Sequence, residues 1–153
     1  MPDLNGPWNQ AQVDEHVRHS IIPMRLGVQL PSGFPAVVSL WFLPEDGAYW
    51  AAVHQDAKVT AWLRRDSKVA FEIAADQPPY CGVRGQAIAT LVKDEGERVL
   101  RAVIDRYLGD ESSDLARWLL SRVDEEWAIR IQPRRQFTWD YAGRMKGIHF
   151  DRP

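Results

Sequence analysis

The stretch VVSLWFLPEDGAYWAAV, residues 37–53, decides the fold. Ala36–Leu43 (AVVSLWFL) is a continuous apolar run of strand length, as expected of a strand covered on both faces. Pro44–Gly47 (PEDG) holds proline and glycine where a hairpin turn takes them, and Ala48–Val53 (AYWAAV) returns as the partner strand.

Working outward, Met24–Leu30 reads as a strand, and Pro31–Pro35 (PSGFP) is a turn. Lys68–Ala75 alternates like a strand with one buried face. Cys81–Lys93 is a longer strand whose Gly82 and Gly85 suggest a bulge or a close backbone approach. Helices are expected from an Asn9 cap to His19, and from an Asp56 cap to Arg65 with Val59, Trp62 and Leu63 as its apolar stripe. Two more are expected over Glu95–Leu108 and over Ser113–Val123, the last carrying Leu115, Trp118 and Leu119. Trp127–Gln132 alternates, Pro133 interrupts, and Arg135–Tyr141 is a last strand or extended tail, with an irregular terminus after Gly143. Strands so short and so close in sequence do not suit a doubly wound parallel sheet. They suit a mainly β, α+β chain: a six- or seven-stranded antiparallel barrel with outer helices. Its 153 residues fit a single domain, with a barrel core over about 24–93, helices over about 95–123 and C-terminal strands over about 126–141.

Composition limits the function. Nineteen Lys and Arg against twenty-one Asp and Glu leave a net charge of −2, with no basic field for nucleic acid. The lone Cys81 can form neither an internal disulfide nor a zinc cluster. His16 and His19 lie one turn apart, but without a third ligand of matching spacing no metal site is expected. No apolar run reaches the ~20 residues that span a bilayer, and Met1–Gln12 lacks the look of a signal peptide, so a cytoplasmic protein is the expectation. The G-x-S-x-G, phosphate-loop, G-x-G-x-x-G and H-E-x-x-H signatures are absent. Seven tryptophans remain, suited either to a core or to a cleft that holds a flat ligand.

One constellation carries chemistry. The apolar hairpin leads into a helix start bearing Asp56 and Lys58, where free N–H groups, a positive dipole end and an ammonium suit a phosphate. Ser39, Ala51 and Ala52 are small enough to let a flat ring approach the neighbouring strands.

The ordered set FPAVVSLWF, DGAYWAAV, AKV…LRRDSKVAFEI, GVRGQAIA and the closing IQPRRQFTWDY resembles the flavin-binding split barrels of the pyridoxamine 5'-phosphate oxidase-like superfamily. The resemblance implies flavin mononucleotide (FMN), or in one branch a deazaflavin, bound in a groove between the subunits of a homodimer. It implies ring and ribityl contacts from Val37, Val38 and Ser39 and from Ala51 and Ala52, with Lys58 on the phosphate beside Ala57. Further contacts, in part from the second subunit, are implied around Tyr80, Arg84, Gln86 and Trp139. Members that oxidise pyridoxamine phosphate carry an arginine where Ala36 stands here, a lysine near Trp41 and an arginine where Ala57 stands, which argues against that substrate. The expectation is an FMN-binding oxidoreductase acting on a small molecule. A deazaflavin-dependent reductase, a non-catalytic flavin carrier, a haem binder using His54, and a structural module with a vestigial pocket are the alternatives.

Overall fold

A computed structural model describes residues 1–149, so the last four positions of the expected irregular terminus, 150–153, lie outside the described residues. Eight strands form one sheet: β1 (Asp3–Asn5), β2 (Met24–Gln29), β3 (Pro35–Leu40), β4 (Leu43–Glu45), β5 (Ala48–His54), β6 (Lys68–Ala74), β7 (Cys81–Val92) and β8 (Glu126–Asp140). The helices are α1 (Gln10–His19), α2 (Lys58–Arg65), α3 (Gly96–Leu108) and α4 (Asp114–Leu120). Strand order is β3-β2-β6-β7-β8-β5-β4, antiparallel throughout, with β1 added parallel to the C-terminal half of β8.

The sheet curls because its inward side chains share one core. Tyr49 on β5 and Phe71 on β6 are separated in the sheet by β8 and β7, yet their ring centroids lie 5.2 Å apart. Leu26, Phe71, Val83, Tyr49 and Ile131 belong to the same buried cluster, which α1 supplements with Val13 and Val17 and α2 with Val59 and Leu63. A second cluster lies outside the barrel, where Val99, Leu100, Val103 and Ile104 of α3 pack on Ala128 and on Trp50 and Ala52 of β5. This is the split-barrel architecture, with β3 and β4 as its two unjoined edges.

Local chemistry accounts for the elements. Asn9 caps α1 in a full capping box with Gln12, and β6 alternates exposed and buried residues along its length. Gly85 lets β7 and β8 close: a Cβ there would fall inside contact distance of the Arg135 carbonyl and 3.0 Å from the Phe71 ring. Gly82 is similarly confined, 2.8 Å from the Ala74 backbone.

Several expectations are corrected. Ala36–Leu43 is not one strand covered on both faces. It divides into β3 and β4 around Trp41 and Phe42, and β3 alternates on the open edge, with Val37 72% exposed. The return strand β5 pairs with β8 and only briefly with β4, while β3 pairs with β2. Ala57, not Asp56, is the N-cap of α2, and no side chain caps that helix. The last helix is shorter than expected, and Leu115 and Trp118 face outward while Ala116 is buried. Pro133 does not end a strand: β8 runs through it, with a bulge opposite Gln86/Ala87 that places Arg134 out of register. None of the seven tryptophans is fully buried. Trp41 stacks on Tyr107 with centroids 5.0 Å apart and joins Trp50 in the outer cluster, not in the barrel interior.

Two predictions follow from this packing. Gly85→Ala is expected to cost about 1–3 kcal/mol or more in urea unfolding, because backbone must move. Gly27→Ala, whose added Cβ would meet only Ala70 at 3.5 Å, should stay within about 0.5 kcal/mol. Equal losses at both sites would contradict the close approach of β7 and β8. The second concerns Glu126, which is 6% exposed at the start of β8. Burial raises its carboxyl pKa, against the opposing charges of Arg122 and His54. Its folded pKa lies above the unfolded one, so its contribution is complete below the unfolded carboxylate range. That contribution is lost as pH rises through the folded value. Glu126→Gln cannot ionise and should gain stability relative to the parent as pH rises above the unfolded carboxylate range. A urea-midpoint difference that does not change with pH would contradict this.

Candidate functional site

The outer faces of β3, β2, β6 and β7 and of the C-terminal half of β8 form one open surface. Its residues lie in register across the strands. One row is Val37, Gly27, Ala70, Gln86 and Arg135, and the next is Ser39, Arg25, Glu72, Arg84 and Phe137. Alternation dictates this, because the intervening Leu26, Phe71 and Val83 are committed to the core. Gly27 and Ala70 put almost no side chain on the surface, leaving a depression of about 510 Å³ edged by Lys68, Gln86, Ile88, Arg134 and Pro35. Arg25 Nη1 donates to Ser39 Oγ at 2.8 Å, and the Arg84 guanidinium lies 5.4 Å from the centre of the Trp139 ring. Val37, 72% exposed, and Phe137, 36% exposed, supply apolar area to the same side, and Phe34, 72% exposed, stands in the turn before β3.

Lys58 opens α2 at one end of the barrel. It is exposed, and among the described residues it forms no ion pair. The amides of Lys58 and Val59 meet no acceptor among the described residues, whereas Thr60 and Ala61 both return to the Ala57 carbonyl. The preceding turn is held by His54. Its Nδ1 accepts from the Asp56 amide at 3.1 Å, its Nε2 lies 3.1 Å from Glu125, and its carbonyl accepts from Thr60 Oγ1 at 2.9 Å. Both imidazole nitrogens are therefore engaged, which leaves His54 without a free nitrogen for an iron.

The expected site residues divide among several environments. Val37, Ser39, Gln86 and Trp139 share the open face, while Val38 points inward and packs against the core. Ala51 is 0% exposed inside the barrel, and Ala52 lies beneath α3, so neither side chain reaches an open groove. The small-residue floor is found instead at Gly27 and Ala70, which the sequence reading missed. The outward positions of the alternating segment Lys68–Ala75 were the signal that could have revealed it. Ala57 and Lys58 stand together at the start of α2, and Lys58 lines neither the 510 Å³ depression nor the cavities near α1 and β1. Tyr80, 42% exposed, is fixed near the β8 end by its carbonyl, which accepts from the Tyr141 amide at 3.0 Å. Among the described residues no group of three His, Cys, Asp or Glu side chains is arranged to hold a metal ion, and no helix is long and apolar enough to cross a membrane.

No protein-family model and no curated protein matches the sequence. Solved structures do. A conserved hypothetical protein from Mycobacterium tuberculosis superposes with a TM-score of 0.79 at 23% identity, covering 96% of this chain and 93% of its own. An F420 reductase aligns at 0.66 and 16% identity over 86% of this chain and 98% of its own. A provisional pyridoxamine 5'-phosphate oxidase from Listeria innocua aligns at 0.65 and 18% identity over 84% and 95%. The haem storage protein HutZ from Vibrio cholerae also aligns at 0.65, with 16% identity over 84% and 92%. At such identities the likeness establishes the fold alone, and the chain shares the split-barrel architecture of these structures.

Proposed function

We propose that this chain binds a flavin-class cofactor carrying a ribityl phosphate, FMN or a deazaflavin, and acts as an oxidoreductase on a small molecule. The observation that carries the reading is the open sheet face, with its 510 Å³ depression floored by Gly27 and Ala70 and edged by Lys68 and Arg134. Its volume lies in the range of ligand pockets, and a floor without side chains suits a flat ring lying against backbone. Lys58, free of ion pairs and flanked by two unmatched amides, suits the phosphate. Two copies meeting through their open faces would cover the exposed Phe34, Val37 and Phe137 and turn the depression into an enclosed groove.

When bound, such a cofactor supplies the hydride transfer itself. The chain's residues would bind it, orient the ring and exclude water. Ala36, Ala57 and the stretch around Trp41 offer no cation, so a second phosphate on the substrate would find no charged partner there. The substrate in this reading is therefore a small molecule other than pyridoxamine phosphate.

Fluorescence titration with FMN and with F420, side by side, tests the proposal. Saturable binding of at least one is expected. A charge-assisted hydrogen bond is worth about 1.5–3 kcal/mol, so Lys58→Ala should weaken that binding about ten- to a hundredfold. Gly27→Val should abolish it by filling the floor while leaving the fold intact. Failure of both cofactors to bind, or two variants with unchanged affinity, would refute the reading.

A further inference from the structure

Three parts of the barrel end meet at His54. It closes β5 opposite Glu126 at the start of β8, and Glu125 ends the single turn of 3-10 helix, Val123–Glu125, that leads into β8. The Glu125 carbonyl accepts from the Gln55 amide at 2.8 Å. The His54 carbonyl accepts from the Ala57 amide at 3.0 Å and from the Thr60 hydroxyl at 2.9 Å. Thr60 is fully buried in α2, so this bond ties the turn to the helix from inside.

The partners of the imidazole dictate where its proton sits. An amide N–H can only donate, so Nδ1, 3.1 Å from the Asp56 nitrogen, must offer a lone pair. The ring proton is then on Nε2, directed at Glu125 Oε2 at 3.1 Å. The amides of residues 55, 56 and 57 are thereby all spent on closing the turn. A second ring proton would have to go on Nδ1, where it would meet the Asp56 N–H. Two donors would face each other, and the turn would lose its central bond. The side chain is 19% exposed, enough for a proton to arrive from water.

The charges around the ring come from several elements. Glu125 touches Nε2, and Glu126 lies opposite in register on β8, with Arg122 4.0 Å from its carboxylate. Asp56 follows in the turn itself, and α2 makes contact through the uncharged Thr60, with Lys58 exposed at its start. The carboxylates can pair with an imidazolium, whereas the Asp56 amide can pair only with the neutral ring.

We propose that His54 is a proton-operated latch on turn 55–57. Neutral, it holds the turn closed; charged, it pairs with Glu125 and releases the Asp56 amide. Because the turn leads into Lys58, release would also slacken the hold on a cofactor phosphate. That consequence rests on the flavin reading, and the latch itself does not.

NMR between about pH 8 and about pH 5, following the His54 ring nitrogens and the exchange of the Asp56 and Ala57 amides, tests the latch. Each exchange rate is divided by that of an unstructured amide at the same pH. Protection at Asp56 should fall about three- to tenfold, in step with the ring titration. His54→Asn keeps an oxygen that can take the Asp56 amide in an Asx turn but gains no proton, so protection should persist at the acid end. His54→Phe should lack it throughout. Protection that stays level while the ring titrates, a ring that stays neutral at the acid end, or an Asn variant that follows the parent profile would overturn the proposal. Titration with FMN over the same range separates the latch from the flavin reading. The phosphate takes up its own proton at about pH 6 in parent and variant alike, so affinity should fall more steeply on acidification in the parent than in His54→Asn. Equal falls would overturn the link to Lys58. No FMN binding at any pH, with the exchange profile as expected, would refute the FMN reading and uphold the latch.

Discussion

The long antiparallel ladder between β7 and β8, closed by Gly85 beneath the Arg135 carbonyl, is the constraint on which the rest of the structure depends. It draws two long strands together tightly enough that the sheet must coil, and coiling lets Tyr49 reach Phe71 across two intervening strands. Once one face of the sheet is turned inward, the other must be covered or left open. α3 covers it over β5 and the first half of β8. Over β3, β2, β6 and the rest of β8 it stays open, and there the side chains shrink to Gly27 and Ala70 between flanking cations.

This division gives the barrel two ends and an open flank. At one end His54 ties the Asp56 amide and the Thr60 hydroxyl into a turn that presents Lys58 and two unmatched amides. At the other, the buried Tyr49 hydroxyl donates to Gln136 Oε1 at 3.0 Å beside a cavity that residues of α1 and of the turn joining β4 to β5 line. Between them the open flank offers a shallow apolar floor. Exposed apolar residues at its edge, Phe34 and Val37 above all, are costly in water and are the physical reason for reading the flank as a surface that becomes covered.

Much of this was legible in the residues, and the failures have physical causes. The β6 alternation, the Asn9 cap and the close approach at Gly82 and Gly85 were readable because each is a local rule acting without competition. The run Ala36–Leu43 misled because apolar residues on both faces of a strand look the same whether a second layer or only an open edge lies beyond them. Pro133 misled because a bulge accommodates a residue that has no amide to donate. β1 is three residues long and carries no periodic signal of its own. Asp56 resembles a cap in sequence, but its amide is taken by His54 Nδ1 and the capping position passes to Ala57. For the site, the lysine at the helix start could be read from sequence. The floor was legible only in part: the β6 alternation turns Ala70 outward, but Gly27 joins it only once β2 and β6 lie in register.

Hydrogen–deuterium exchange, with and without saturating FMN or F420, tests the central claim most directly. If the open flank and the Lys58 turn receive the cofactor, the amides of residues 35–40 and 55–60 should slow their exchange when it is added. Protection confined to α3 and α4, or none anywhere at saturation, would contradict the account.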